Sequence, residues 1–293
     1  MSENPTQPEV SRGEDQPVSG KRRRMSTNQR ILFFLTAWLI VLLPFLFWWN
    51  TWFGRRLSEQ QMEEYLHDEK KPRHIQHALV QLGDRMARKD PAVTRWYPEL
   101  VRLASHPIEE VRNTDAWVMG QDTSGAGFHD ALRKMLDDAS LTVRGNAALS
   151  LVRYGDASGR PQIVALLQPA TVLSQATGLV SDASTAGTPI HQGGLVAKIK
   201  DASGQTFDVR SPIAGRVRSL GVSQGQNITT GSTVAVVDPD TEQVWEALRA
   251  LYLVGQPDDL PAVTPWERDL AEIPDRIREQ ARATEKAIRE RAK

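Results

Sequence analysis

The sequence contains no cysteine among its 293 residues. This absence excludes disulfide bonds, thiol catalysis and zinc sites with cysteine ligands, although it fits any cellular compartment. An excess of charge of either sign is also lacking, since 36 Lys and Arg residues balance 36 Asp and Glu residues. A net charge of zero argues against a protein that binds nucleic acid through bulk electrostatics. With only 6 histidines, the chain offers few candidate metal ligands.

The charged residues that are present are distributed unevenly along the chain. Residues 1–30 contain few large apolar side chains and end in a basic cluster, so we expect a disordered basic cytoplasmic tail. Between Ile31 and Gly54 no residue is ionisable. Because about 20 apolar residues can cross a bilayer, we predict a transmembrane helix over residues 31–53. A cleaved signal peptide is the main alternative, but no small-x-small cleavage site follows.

The charges that flank this apolar run predict its orientation. Five Lys and Arg residues precede it within fifteen positions and two follow it, so the positive-inside rule places the tail in the cytoplasm. The protein would then cross the inner (cytoplasmic) membrane once, contact the lipid bilayer from Ile31 to Phe53, and carry its remaining domains outside the cytoplasm, which is the periplasm in a Gram-negative cell. The inverted orientation, with the large domain acting in the cytoplasm as an assembly factor, remains an alternative.

Residues 57–168 show helical periodicity with short breaks and no strand alternation. Three segments resemble one another, and Val-Arg pairs precede the shared small residue by one turn at Val111–Arg112 and Val143–Arg144. A small residue lets two helices approach closely, so these segments resemble HEAT-type repeats, in which helix pairs stack into a solenoid. An ordinary small helical bundle is the alternative. The shared small residues are Ala78, Ala116 and Ala148.

Two further helical regions are expected at the end of the chain. Residues 241–293 begin with a segment, Thr241–Gly255, that resembles the same repeat unit. A charged helix from Pro274 to Lys293 follows, and its narrow apolar stripe would pack on its own domain or, as the alternative, dock onto a partner helix or a second copy. We therefore predict a final helical repeat and a charged C-terminal helix, so that residues 169–240 interrupt a helical array.

Residues 169–240 are rich in Gly, Ser, Thr and Val, with the short alternating runs that predict strands and tight turns. Ten positions of the first half recur 37 or 38 residues later. Two halves of this kind predict a pseudo-twofold sandwich, with glycines where turns need positive φ. Among the recurring pairs are Gly178 and Gly215, Val180 and Val217, Gly187 and Gly225, and Ile199 and Val237.

The second half of this segment carries a recognisable motif. It reads Ser211-Pro212-x-x-Gly215-x-Val217, then Gly225-x-x-Ile228-x-x-Gly231, then a closing strand over Val234–Val237. The motif resembles the biotinyl/lipoyl-like family, a barrel-sandwich hybrid.

Carriers of that family bear a covalently modified lysine at the tip of the hairpin that joins the two halves. The resemblance places this position at Gly204, or at Ser203 if the hairpin is one residue longer. Since neither is lysine, the resemblance implies a non-carrier domain of the membrane-fusion-protein type, which packs against partner proteins. The alternative is a lipoyl- or biotin-carrier-type enzyme subunit modified on Lys198 or Lys200, which lie off the tip.

Few other residues are candidates for chemistry. His74 and His77 are three positions apart, which is compatible with a metal on one helix face, but no carboxylate joins them at a suitable spacing. We therefore predict no catalytic residue, no metal site and no cofactor.

The resulting fold class is multidomain α+β, with a single transmembrane helix, α-solenoid-like helical pairs and a small all-β barrel-sandwich hybrid. The expected function is that of a non-enzymatic, membrane-anchored scaffold or adaptor in a cell-envelope complex, for transport or for electron transfer. It would act through contacts with the subunits of a membrane protein complex, without nucleic acid, and self-association is left open.

Overall fold

The computed structural model describes residues 27–52 and 56–293, which form eleven α-helices and eight strands. The strands pair in two antiparallel sheets, so the chain is α+β. Two compact units are present, one ending at Arg56 and the other running from Leu57 to Lys293. The predicted tail over residues 1–30 lies outside the described residues as far as position 26, and residues 27–30 are helical.

The first unit contributes one helix, α1 (Thr27–Trp52), with Pro44 inside it. Apart from Thr27, its side chains are described for residues 33–45 only, and most of them are exposed. Within the described part of the chain, no helix is both long enough and apolar enough to cross a membrane.

The prediction of a transmembrane helix over residues 31–53 is therefore wrong. It rested on an unbroken count of uncharged residues from Ile31 to Phe53, and an uncharged run is not by itself a helix that is long and apolar enough to span a bilayer. Residue 53 itself lies outside the described residues. The same finding overturns the inner-membrane location and the single-pass topology that followed from the predicted span. The contact with the lipid bilayer from Ile31 to Phe53 stays a prediction.

The second unit begins with seven helices in two layers. The helices α3, α5 and α7 pack side by side, and α2, α4, α6 and α8 pack against them. Buried small residues permit the close approach, since Ala78, Ala116 and Ala148 are all fully buried. The bounds are α2 (Glu59–Leu66), α3 (Pro72–Ala87), α4 (Tyr97–Leu103), α5 (Glu109–Met119), α6 (Phe128–Met135), α7 (Leu141–Arg153) and α8 (Arg160–Leu166).

The same arginine contact occurs in α5 and in α7, two neighbouring helices of the layer α3-α5-α7, which we call the inner layer. In α5, Nη1 of Arg112 donates to the carbonyl oxygens of His106 at 2.8 Å and Pro107 at 3.2 Å. In α7, Nη1 of Arg144 donates to the carbonyl oxygen of Asp138 at 2.6 Å, and also to that of Ala139. Each arginine thus binds carbonyl groups that the preceding turn leaves without a helical partner.

Eight short strands follow and form two four-stranded sheets, ordered β1-β8-β6-β3 and β5-β4-β2-β7. The sequence duplication makes β5 the counterpart of β1, β6 of β2, β7 of β3 and β8 of β4. Replacing each strand by its counterpart converts one order into the other, so both halves contribute to both sheets. The strands are β1 (Ala170–Leu173), β2 (Gly178–Ala183), β3 (Pro189–Ile190), β4 (Leu195–Lys200), β5 (Thr206–Arg210), β6 (Gly215–Leu220), β7 (Asn227–Ile228) and β8 (Thr233–Pro239).

The helices after the β segment continue the array. Helix α9 (Thr241–Val254) packs on α7 and α8, and α11 (Asp275–Arg291) packs on α9, with the short α10 (Leu260–Val263) between them. The side chain of Gln243 donates to the carbonyl oxygen of Leu166 at 2.9 Å, joining α9 to the end of α8. The inner layer therefore runs α3-α5-α7-α9-α11 across the insertion.

Candidate functional site

The predicted carrier position lies at the turn between β4 and β5. Oδ1 of Asp201 accepts hydrogen bonds from the backbone N–H groups of Ser203 at 2.8 Å and Gln205 at 2.9 Å. Gly204 has a φ of +88°, a conformation that glycine adopts without strain. Ser203 and Gly204 thus occupy the tip, and neither provides an amine for acylation.

The two lysines before the turn lie in strand β4. Lys198 pairs with Asp208 of β5 in the antiparallel ladder, and Lys200 pairs with Thr206 at the end of the strand. Lys198 is half-buried and Lys200 is exposed. Both side chains therefore lie off the tip of the turn.

The histidine pair on α3 is engaged in separate contacts. His74 stacks on Tyr65 with ring centroids 4.1 Å apart, and its Nδ1 lies 2.8 Å from Oδ2 of Asp68. His77 instead lies against Gln81, with 2.8 Å between their Nε2 atoms. Over residues 27–52 and 56–293, no group of three or more His, Asp or Glu residues is placed to hold a metal ion.

A groove crosses the inner layer of the array, over α5, α7, α9 and α11, with a volume of about 830 Å³. Three large side chains stand exposed in it: Trp117 at 41%, Tyr252 at 44% and Leu253 at 61%. Exposed aromatic and aliphatic side chains that cluster in a concave surface are typical of contact sites for other molecules. We call this surface the inner groove.

The floor of the inner groove is made of small residues. Ser150 of α7 is buried and donates to the carbonyl oxygen of Ala116, and Ala250 of α9 is buried as well. Beside the floor, the Trp117 ring lies against Gly83 of α3, where an added Cβ would come within 2.9 Å of the ring. The glycine therefore leaves room for the indole at the groove wall.

One arginine in the inner groove carries a charge that no carboxylate offsets. Nη1 of Arg153 donates to the carbonyl oxygen of Gly120 and to Oε1 of Gln121, both at 2.9 Å. In the described part of the chain, no carboxylate lies within ion-pair distance of it. The acidic residue that lines the groove, Glu246, lies 3.6 Å from Arg249 instead. The groove thus has a floor of small residues and a surplus of positive charge.

The β segment covers the opposite end of the same helical layer. Nε2 of Gln192 donates to Oγ1 of Thr142 at 2.8 Å, close to the N-terminus of α7. Leu141 packs against the hydrophobic core of the β segment. The N-terminal end of α7 is therefore occupied, whereas its C-terminal half faces the open groove.

Sequence reasoning missed the inner groove altogether. Trp117, Tyr252 and Leu253 are apolar residues outside the buried stripes of their helices, and that mismatch was the available signal. It could not show that the three side chains would lie in one groove, because this depends on how α5 and α9 are placed on α7.

A buried acid lies on the other side of α5 from the groove. Both carboxylate oxygens of Asp115 are buried and have no hydrogen-bond partner among the described residues. Burial raises the pKa of the Asp115 carboxyl well above its usual range, and the nearby Glu99 carboxylate acts in the same direction. The carboxyl is a local cost to folding rather than part of the groove.

Replacing Asp115 by alanine is expected to raise the free energy of unfolding by about 1–3 kcal/mol, because an unsatisfied buried polar group is removed. Because the pKa of this carboxyl is raised in the folded state, its titration does not lower the free energy of unfolding below the unfolded-state pKa. It lowers that free energy as the pH rises from the unfolded-state pKa through the folded-state pKa. The gain should therefore be larger near pH 8 than near pH 5 in urea titrations. The exposed Asp130, changed to alanine, is the control, and an equal gain there would contradict this account.

Comparison with known proteins yields no family assignment. No family model matches the chain, and no curated protein matches it. One solved structure that resembles part of it is a single-chain, multidomain long-chain acyl-CoA carboxylase, with 15% identity over 33% of this chain and a TM-score of 0.24. The chain spans about a tenth of the length of that carboxylase chain. A likeness this distant carries no conclusion about fold or activity.

Proposed function

We propose that the protein is a non-catalytic scaffold or adaptor that acts by binding another protein through the inner groove. The observation that carries the proposal is the exposure of Trp117, Tyr252 and Leu253 together in one concave surface that crosses four helices. Aromatic side chains are enriched at the centres of protein interfaces, where they bury a large area at a low entropy cost. A stacked helical array presents such an extended surface without any catalytic group.

The β segment supports the same proposal, because it adds a second rigid module to the helical array. We infer that it has the biotinyl/lipoyl-like fold of the non-carrier type. The support is that replacing each strand by its counterpart in the other half converts the strand order of one sheet into that of the other. The Ser203-Gly204 tip favours the non-carrier form over a carrier subunit. Two leucines, Leu179 and Leu195, are exposed on this module, which offers a further contact surface beside the array.

Replacing Leu253 by aspartate is expected to dissociate the protein from its native complex. The side chain is exposed, so the substitution should leave the fold intact while placing a charge inside the inner groove. The measurement is the native mass of the full chain isolated from its source cells, with the helical content of each variant checked by circular dichroism.

The matched control for this experiment is Leu270→Asp. Leu270 is exposed to a similar degree and does not line the inner groove. We expect the wild type and the Leu270 variant to migrate in a complex larger than the chain, and the Leu253 variant to migrate as the free chain. A wild type that is found only as the free chain would refute the proposed function.

A further inference from the structure

We infer that the inner groove binds an amphipathic helix of a partner protein, and that Arg153 binds a carboxylate at the edge of the apolar face of that helix. The inference rests on the proposed function and adds the chemistry of the partner to it. Its support comes from the spacing of the residues that line the groove, from the hydrogen-bonding state of the groove walls and from the charge of Arg153.

The lining residues form two matched stripes. Each stripe follows a helix at spacings of three and four residues, which is the ridge that a neighbouring helix packs against. Each stripe has a small buried residue at its third position, so a third helix can approach both closely. The stripe of α7 is Asn146, Leu149, Ser150 and Arg153, and that of α9 is Glu246, Arg249, Ala250 and Leu253.

The walls of the groove favour a helix over an extended segment as the occupant. An added strand gains its affinity from free backbone groups along a sheet edge, whereas the backbone groups of α7 and α9 are bonded within their own helices. A helix needs only apolar contact, which it finds at Trp117, Leu149 and Leu253. Helix-in-groove binding uses anchors at the same three- and four-residue spacing that the two stripes display.

The charge of the inner groove indicates which charged residues the partner helix carries. Arg153 lies at the end of the α7 stripe, and its guanidinium is already held by Gly120 and Gln121. Binding a carboxylate there costs little additional side-chain entropy. Glu246 is the acidic residue of the lining and lies beside Arg249, so an incoming carboxylate meets net positive charge. The partner helix is therefore acidic along one edge of its apolar face.

The test uses two synthetic amphipathic peptides of about 18 residues, long enough to form helix on binding. Both share one leucine face and differ only in the flanking residues, which are glutamate in one peptide and lysine in the other. Binding to the full chain is measured by fluorescence anisotropy. We expect the glutamate peptide to bind at least about tenfold more tightly, since a charge-assisted hydrogen bond changes affinity by that factor.

Charge-reversal variants locate the effect at Arg153. The Arg153→Glu variant should reverse the preference between the two peptides, whereas Arg133→Glu, the same change on α6 away from the inner groove, should leave it unchanged. Leu253→Asp should weaken binding of both peptides. Equal affinity for the two peptides, or an unchanged preference in Arg153→Glu, would overturn the inference.

The other outcomes separate this inference from the proposed function. If neither peptide binds but Leu253→Asp still dissociates the native complex, the helix inference is wrong and the scaffold function stands. If Leu253→Asp instead dissociates a homodimer, the occupant is a second copy of the chain and the inference is again wrong. If the wild-type protein forms no complex and binds neither peptide, both proposals fail.

Discussion

Replacing Gly215 by alanine is expected to lower the free energy of unfolding by more than about 3 kcal/mol. Gly215 begins β6, where an added Cβ would overlap the carbonyl oxygen of Asp238 in the paired strand β8. The obstacle is backbone rather than the flexible end of a side chain, so no rotamer change relieves it. Urea titration followed by circular dichroism measures the loss, and limited proteolysis shows whether the β segment opens first.

The same loss of stability is expected for Gly178→Ala, at the position in the first half of the β segment that corresponds to Gly215. A Cβ at Gly178 would overlap the carbonyl oxygen of Lys200, and Gly178 and Lys200 precede Gly215 and Asp238 by 37 and 38 residues. The controls are Gly187→Ala and Gly225→Ala, at two positions with a φ of +84° and open space around an added Cβ. These should cost only about 1–2 kcal/mol. If Gly215→Ala cost no more than they do, the close-approach account would be wrong.

Replacing Asp259 by asparagine is expected to cost about 3 kcal/mol or more. Nε of Arg160 donates to Oδ2 of Asp259 at 2.8 Å, and Nη2 donates to Oδ1 at 3.1 Å. The side chains are 20% and 7% exposed, so removing the charge of Asp259 leaves a largely buried arginine without its ion-pair partner. Oδ2 of Asp259 also accepts the backbone N–H of Gln256 at 2.8 Å, and the single amide oxygen of asparagine can replace only one of the two carboxylate oxygens.

Two variants show whether the stability lost in Asp259→Asn comes from the buried ion pair of Arg160 and Asp259. The double variant Arg160→Met/Asp259→Leu should recover most of the stability lost in Asp259→Asn, because no buried charge remains. Glu290→Ala, which breaks the i,i+4 pair with Lys286 on the surface of α11, should cost less than about 0.5 kcal/mol. Equal losses for Asp259→Asn and Glu290→Ala would contradict a buried connection across the β insertion.

The local structure of the β segment follows from its sequence to a considerable extent. Gly187 and Gly225 recur at the same spacing and have the positive φ that turn glycines adopt. Val180 and Val217, like Ile199 and Val237, recur as pairs and are fully buried. The sequence did not show why positions 178 and 215 require glycine, however. The constraint at Gly178 and Gly215 is a carbonyl oxygen on another strand rather than their own φ.

The apolar run near the N-terminus shows the limit of composition. Counting uncharged residues from Ile31 to Phe53 predicted a membrane span. Within the described residues, no helix meets the length and apolarity that a span requires. Composition alone therefore did not fix the role of this segment.

Contacts between distant residues were the other part that the sequence did not provide. Arg160 and Asp259 are 99 positions apart, and no local pattern pairs them. Arg153 resembles any other arginine at the end of a helix until α9 is placed beside α7. The inner groove is a property of that packing, so its residues could be found only from the structure.

The most direct test of a protein-binding groove is photo-crosslinking from inside it in living cells. A benzophenone amino acid would replace Leu253 in the full chain, with the same replacement of Leu270 as the control. We predict one major adduct with a different protein from position 253, with the crosslinked residues of that partner spaced three and four apart, and no such adduct from position 270. Identical adduct patterns from the two positions, or no adduct with another protein from position 253, would contradict the account.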